Sequence, residues 1–128
     1  MSRSALVLLA PGFEEIEATC PIDLLRRAEV QVTVAAVGED LLVTGRSELT
    51  LHADCLLPEV LDQNFDLLVL PGGPAVFDLR KQPRVLDLIR RFHLEERFIG
   101  AICAAPLLLL DAGLLPGPRH TAHGSVAD

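Results

Sequence analysis

The chain has 128 residues, half of them hydrophobic, with 11 basic and 18 acidic side chains and a formal net charge of −7. That balance describes one acidic, soluble, globular domain spanning residues 1–128 and excludes a disordered chain. All of the aromatic residues are Phe, at 4% of the sequence, so neither a basic phosphate-tracking surface nor a base-stacking platform is on offer, and direct nucleic-acid binding is not expected.

Taken in chain order, Ala5 to Leu9 is a continuous apolar run soon closed by Pro11-Gly12. It is too short for a signal-peptide core or a membrane span and suits a strand buried on both faces. From Glu14 to Ala28 the apolar positions Ile16, Cys20, Leu24 and Ala28 recur every four residues, with acids early and Arg26-Arg27 late. This predicts an amphipathic helix aligned with its dipole and kinked at Pro21. Gln31 to Val37 is a second, β-branched strand, and Leu41 to Ala53 alternates around Gly45 as a hairpin or excursion would.

Asp66 to Leu70 is a third buried strand ending at Pro71-Gly72-Gly73, and Pro83 to Glu96 is a helix with Val85, Leu86, Ile89 and Phe92 on one face. Phe98 to Ile102 is a fourth strand that runs into Cys103, after which Ala104 to Ala112 reads as a helix stopped by Gly113. Four strand–helix alternations predict an open, mainly parallel sheet with helices on both faces. Ligands bind such sheets beyond the carboxyl ends of the strands, where the segments Gly12 to Glu17, Pro71 to Gly73 and Cys103-Ala104 would gather.

Cys20, Cys55 and Cys103 are odd in number and lack metal-type spacing, which suits free thiols in a reducing cytoplasm. Cys20 and Cys55 read as structural thiols. Cys103 lies where an apolar strand turns into a helix, the geometry of a nucleophile elbow, where helix N–H groups favour a thiolate and the next N–H faces a developing oxyanion. Gly72-Gly73 permits positive φ and close backbone approach, so it is a candidate second half of an oxyanion hole. Of Glu14, Glu15 and Glu17, two are explained as dipole partners of the first helix. One turned inward toward Cys103 would be an acid–base group. His93 is expected to face solvent, His52 lies near Cys55 at a spacing too common to imply a metal site, and of His120 and His123 the latter is the better candidate for the site.

Other families with this strand order fit less well. A phospho-receiver domain needs acids where this chain has Pro11-Gly12 and Pro71-Gly72, a small tyrosine phosphatase needs Arg where Leu109 stands, and a glutamine amidotransferase needs a downstream His and Glu pair. Ala5-Leu-Val-Leu-Leu-Ala-Pro-Gly-Phe-Glu-Glu-Ile-Glu17, Leu70-Pro-Gly-Gly73 and Ala101-Ile-Cys-Ala-Ala-Pro106 together resemble the ThiJ/PfpI superfamily, in its DJ-one subgroup. The resemblance covers essentially the whole chain.

That resemblance implies a flavodoxin-like, three-layer α/β sandwich with a mainly parallel sheet. It makes Cys103 the oxidation-sensitive nucleophile, Glu17 its protonated hydrogen-bond partner, and the N–H groups of Gly73 and Ala104 the oxyanion hole. His123 falls where some members place an active-site histidine, and Arg27 and Arg46 where members place arginines near a dimer interface. The implied activity is glutathione-independent glyoxalase or deglycase chemistry on a small 2-oxoaldehyde such as methylglyoxal, in a cytoplasmic homodimer formed through the first helix and the neighbouring hairpin, with no metal or organic cofactor. The alternative is an oxidative-stress sensor or chaperone that uses an oxidisable Cys103 without turnover. Ala104 stands where peptidase-like and chaperone-like branches carry His, which argues against peptidase activity. Gly124 stands where relatives often have Pro, and the sequence ends at Asp128 where family members continue, so a C-terminally truncated chain is expected.

Overall fold

The apolar runs become strands because backbone in a continuous Val/Leu segment buries both faces only when each edge is paired. The computed structural model describes residues 3–114; His120, His123 and Gly124 lie outside the described residues. β1 (Ser4–Leu9) is paired on one side with β2 (Gln31–Ala36) and on the other with β6 (Leu67–Leu70), all parallel. β5 (Cys55–Leu56) extends the sheet beyond β2, and β7 (Phe98–Ala101) beyond β6, giving the order β5-β2-β1-β6-β7. β3 (Leu42–Thr44) and β4 (Thr50–His52) form a separate antiparallel hairpin, as the alternation around Gly45 predicts.

Helices α1 (Glu15–Arg27), α2 (Ala75–Leu79), α3 (Pro83–Leu94) and α4 (Pro106–Asp111) follow β1, β6, α2 and β7 in turn. Leu6, Leu8 and Leu9 of β1, Leu68 and Leu70 of β6, Ile89 and Phe92 of α3 and Leu108 of α4 are buried in one core cluster. Burying a side chain of this size is worth about 1.5–3 kcal/mol. Among the described residues no helix is long and apolar enough to cross a membrane.

The Ile16–Cys20–Leu24 stripe is turned outward: Ile16 is 73% and Leu24 59% exposed, while the buried positions of α1 are Glu15 and Ala18. Periodicity shows that a helix has an apolar face, and not what that face meets. One expectation is corrected. The last helix begins at Pro106 rather than Ala104, so Cys103 and Ala104 lie in a turn between β7 and α4. Pro21 is accommodated inside α1.

Candidate active site

β1, β6 and β7 lie side by side, so the segments following them meet at one end of the sheet. After β6, Gly72 is buried against the turn that follows β7: a Cβ there would stand 2.8 Å from the Cys103 Cβ and 2.9 Å from the Ile102 carbonyl oxygen. The same Cβ would lie 2.5 Å from Glu17 Oε1, which accepts a hydrogen bond of 2.9 Å from the Gly72 N–H. Gly73 has φ +95° and is pressed against the loop after β1, where its added Cβ would meet Glu14 N and Gly12 O at 2.8 Å. Both glycines are therefore required by close approach. Proximity, not the sequence, selects Glu17 as the acid that faces Cys103.

Cys103 is half-buried and has φ +60°. A non-glycine residue held there stores about 1–3 kcal/mol of strain and persists only where its surroundings over-determine it. Burial pushes the Cys103 thiol above its ordinary range, and the negative charge of Glu17 pushes it further. The nearby Ala104 N–H offsets part of this, while the Glu17 carboxylate as an acceptor and the charge of Glu14 add to the rise. A helix dipole poised to depress the thiol is thus not the main influence here, because α4 is short and starts beyond the turn. The main influence is burial, and next the carboxylate of Glu17 across the Gly72 turn. Among the described residues neither the Gly73 N–H nor the Ala104 N–H donates to an oxygen acceptor.

The three glutamates have three different fates. Glu14 caps α1, its Oε1 accepting from the Ile16 N–H at 3.4 Å. Glu17 faces Cys103. Glu15, which sequence reasoning treats as a dipole partner, is 4% exposed and reaches the hairpin instead, Oε2 accepting from the N–H groups of Ser47 (2.8 Å) and Leu49 (3.1 Å). Gly45 leaves room for it, since a Cβ there would stand 2.4 Å from Glu15 Cδ. The hairpin also holds the loop after β1 through Gly12 N–H to Thr44 O (2.9 Å) and Arg46 N–H to Phe13 O (2.8 Å). Glu15 thereby ties the base of the site to β3–β4. A glycine opposite a helix start is too weak a signal to have revealed this.

Burial raises the Glu15 carboxyl, but the backbone N–H groups and Arg46 outweigh it and hold the group below its ordinary value of 4.5. A carboxylate depressed in the folded state stabilises fully above its unfolded value and loses that contribution as pH falls through the folded value. Thermal melts from neutral pH downward are therefore expected to show a loss of stability that begins below about pH 5. Glu15→Gln is expected to flatten this segment while lowering the melting temperature at neutral pH. An unchanged acid profile in the variant would remove Glu15 from that role.

The other candidates stand apart. Cys20 is exposed and Cys55 half-buried in β5, both as free thiols. His93 is exposed on α3, and His52 lies in β4, on a groove with Asp23, Arg26 and Asp54. Among the described residues no group of three or more His, Cys, Asp or Glu is gathered to hold a metal ion. A cavity of about 470 Å³ beyond β2, with Val37, Leu57, Gln82 and Arg84 in its wall, contains none of the site residues.

The sequence is 39% identical to Protein DJ-1 homolog A of Arabidopsis thaliana over 125 residues, covering 96% of this chain but 32% of that protein. It is 32% identical over 123 residues to a deglycase of Pyrococcus abyssi, covering 96% of this chain and 74% of the relative. The fold superimposes on oxidized Toxoplasma gondii DJ-1 with a TM-score of 0.90 and 32% identity, covering 94% of this chain and 67% of that one. The chain thus spans about a third of the Arabidopsis protein and about two thirds of the Toxoplasma chain. Residues 3–128 match the DJ-1/PfpI family, and the chain belongs to that family.

Proposed function

We propose that Cys103 is the nucleophile of a cofactor-independent glyoxalase or deglycase reaction that converts a small 2-oxoaldehyde such as methylglyoxal to its hydroxy acid, or releases glycated adducts. The observation that carries the reading is Cys103 held at positive φ beside Glu17, over a turn whose Gly72 admits no side chain. Kinship with a protein named a deglycase supports it.

In the forward step the Cys103 proton passes to Glu17 and the sulfur attacks the aldehyde carbon, forming a C–S bond and an alkoxide. The N–H groups of Gly73 and Ala104 receive that oxyanion. Protonation of the alkoxide gives a hemithioacetal. Glu17 then carries a proton from the first carbon to the second through an enediol, leaving a thioester of the hydroxy acid. Water cleaves the thioester, releasing lactate when the substrate is methylglyoxal and returning the thiol. Oxidation of one carbon is matched by reduction of its neighbour, so no external oxidant enters. His123 is assigned an assisting acid–base role.

The test is incubation of the purified chain with methylglyoxal, followed by NMR of the product. Lactate formation that disappears in Cys103→Ala is expected; no lactate from a folded chain overturns the reading. The second reading is a redox sensor, favoured by the partial exposure of Cys103. Peroxide would take the thiolate to sulfenate and then sulfinate, consuming one peroxide at each step. Stepwise mass increases confined to Cys103, without lactate formation, would favour it.

We also assign the exposed Ile16–Leu24 stripe of α1, with Leu42 and Leu49 of the hairpin, to a homodimer interface. Leu24→Glu is expected to shift the chain toward monomer in sedimentation, and an unaltered distribution would reject that interface. The free thiols accord with a cytoplasmic setting.

A further inference from the structure

α2 begins just beyond Gly73 and α4 just beyond Cys103, so the N-terminal ends of these two helices adjoin the two turns of the site. Their far ends are joined. Arg80, which caps the C-terminus of α2, donates from Nε to Asp111 Oδ2 at 2.8 Å and from Nη2 to Asp111 Oδ1 at 3.1 Å. This forked geometry fixes orientation as well as distance, which a single-point contact does not. The pair is also partly shielded, at 38% and 20% side-chain exposure. By contrast, Arg27–Asp23 and Arg90–Asp87 lie within single helices and Arg91–Glu95 joins α3 to its own C-cap.

We propose that Arg80 and Asp111 are positioning residues for Cys103, the forked pair setting the separation of the Gly72-Gly73 and Cys103-Ala104 turns by locking α2 to α4. The proposal rests on the reading of Cys103 as the nucleophile. Its physical basis is the positive φ of Cys103, a conformation kept only by what surrounds it. α4 is a stiff rod of six residues, about 9 Å long. A shift at Asp111 is therefore passed to the turn at the other end. A second arginine steadies the same end of α4, since Arg90 Nε of α3 donates to Ala112 O at 3.0 Å. That contact ties α4 to α3, and core burial of Leu108 holds its middle, while Arg80 is what ties its far end to α2. When α4 loosens, the Cys103 turn relaxes from its positive φ and the thiol loses its placement against the Gly72-Gly73 turn.

The experiment is alkylation of the full chain by iodoacetamide across pH, mapped by peptide mass, with Cys20 and Cys55 as reference thiols and every sample at one chain concentration, so that any cover of Cys20 by the proposed dimer is the same throughout. Arg80→Ala and Asp111→Ala are each expected to slow Cys103 by about threefold to tenfold at neutral pH, moving its profile to higher pH and leaving Cys20 in place. The double variant should be no slower than either single one, because the two side chains act as a unit. Arg80→Lys, which keeps the charge and loses the fork, should fall between. Arg26→Ala, which breaks the distant Arg26–Asp54 pair, is the control for a merely structural loss and should leave the Cys103 profile unchanged.

Superposition of the Arg80 variant profiles on the wild type overturns the proposal, as does an equal shift in the Arg26 control or an additive double variant. If Asp111→Ala fails to fold, the two Arg80 variants decide alone. Alkylation requires no turnover, so absence of lactate formation would reject the proposed reaction while this test still read the pair.

Discussion

Glu17→Gln is expected to lower methylglyoxal turnover by about 100-fold or more while leaving the fold intact, the usual contribution of a positioned acid–base group. The fold should survive because the amide oxygen can still accept the Gly72 N–H bond that Oε1 now receives at 2.9 Å. The amide can also offer an N–H to the sulfur, so alkylation of Cys103 should continue. What it cannot do is take up and return a proton between two adjacent carbons. Steady-state lactate production and Cys103 alkylation, measured on one preparation, separate the two roles. Turnover equal to wild type would remove Glu17 from the reaction, whatever happened to alkylation.

The second large effect is expected at Gly72→Ala. Its added carbon meets two neighbours that have little room to retreat, the Cys103 Cβ at 2.8 Å and the Ile102 carbonyl at 2.9 Å, as well as the Glu17 oxygen at 2.5 Å. Overpacking of this kind destabilises by about 1–3 kcal/mol. Because the displaced atoms belong to the site, lactate formation and Cys103 alkylation should both fall by more than the loss of folded protein at the assay temperature explains. Denaturant melts and alkylation rates together check this. A variant with wild-type stability and a wild-type Cys103 rate would mean that the turn has slack, contrary to its packing. Gly45→Ala meets the same kind of obstacle at Glu15 Cδ, away from the thiol. It should destabilise comparably with a smaller effect on Cys103.

The parts of the fold legible in the sequence are those in which one local signal suffices. β1 and β6 announce themselves as uninterrupted apolar runs, and α3 as a stripe through Val85, Ile89 and Phe92, all three buried. β5 and α2 span two and five residues, too short for any period to register. The stripe of α1 marks a helix but not what its apolar face meets, because such a face is equally well used by a core or by another molecule. At the site, the strand-to-turn junction marks Cys103 and the paired glycines mark the facing turn. The sequence does not distinguish Glu14, Glu15 and Glu17, since their separation arises from what stands opposite each: a helix end, a hairpin and a thiol. Arg80 and Asp111 are 31 positions apart, and no local pattern links them.

The place of β1 at the centre of the sheet also governs how the chain can fold during synthesis. Ser4 donates its N–H to the Asp66 side chain, 62 positions later, and β6 follows that aspartate directly. At about 5–20 residues per second on a ribosome, β1 waits several seconds for this partner. During that interval the backbone of β1 can be paired on the β2 side only. A nascent chain halted before β6 would present a sticky, half-paired strand, a natural substrate for a holding chaperone and a starting point for intermolecular β-pairing.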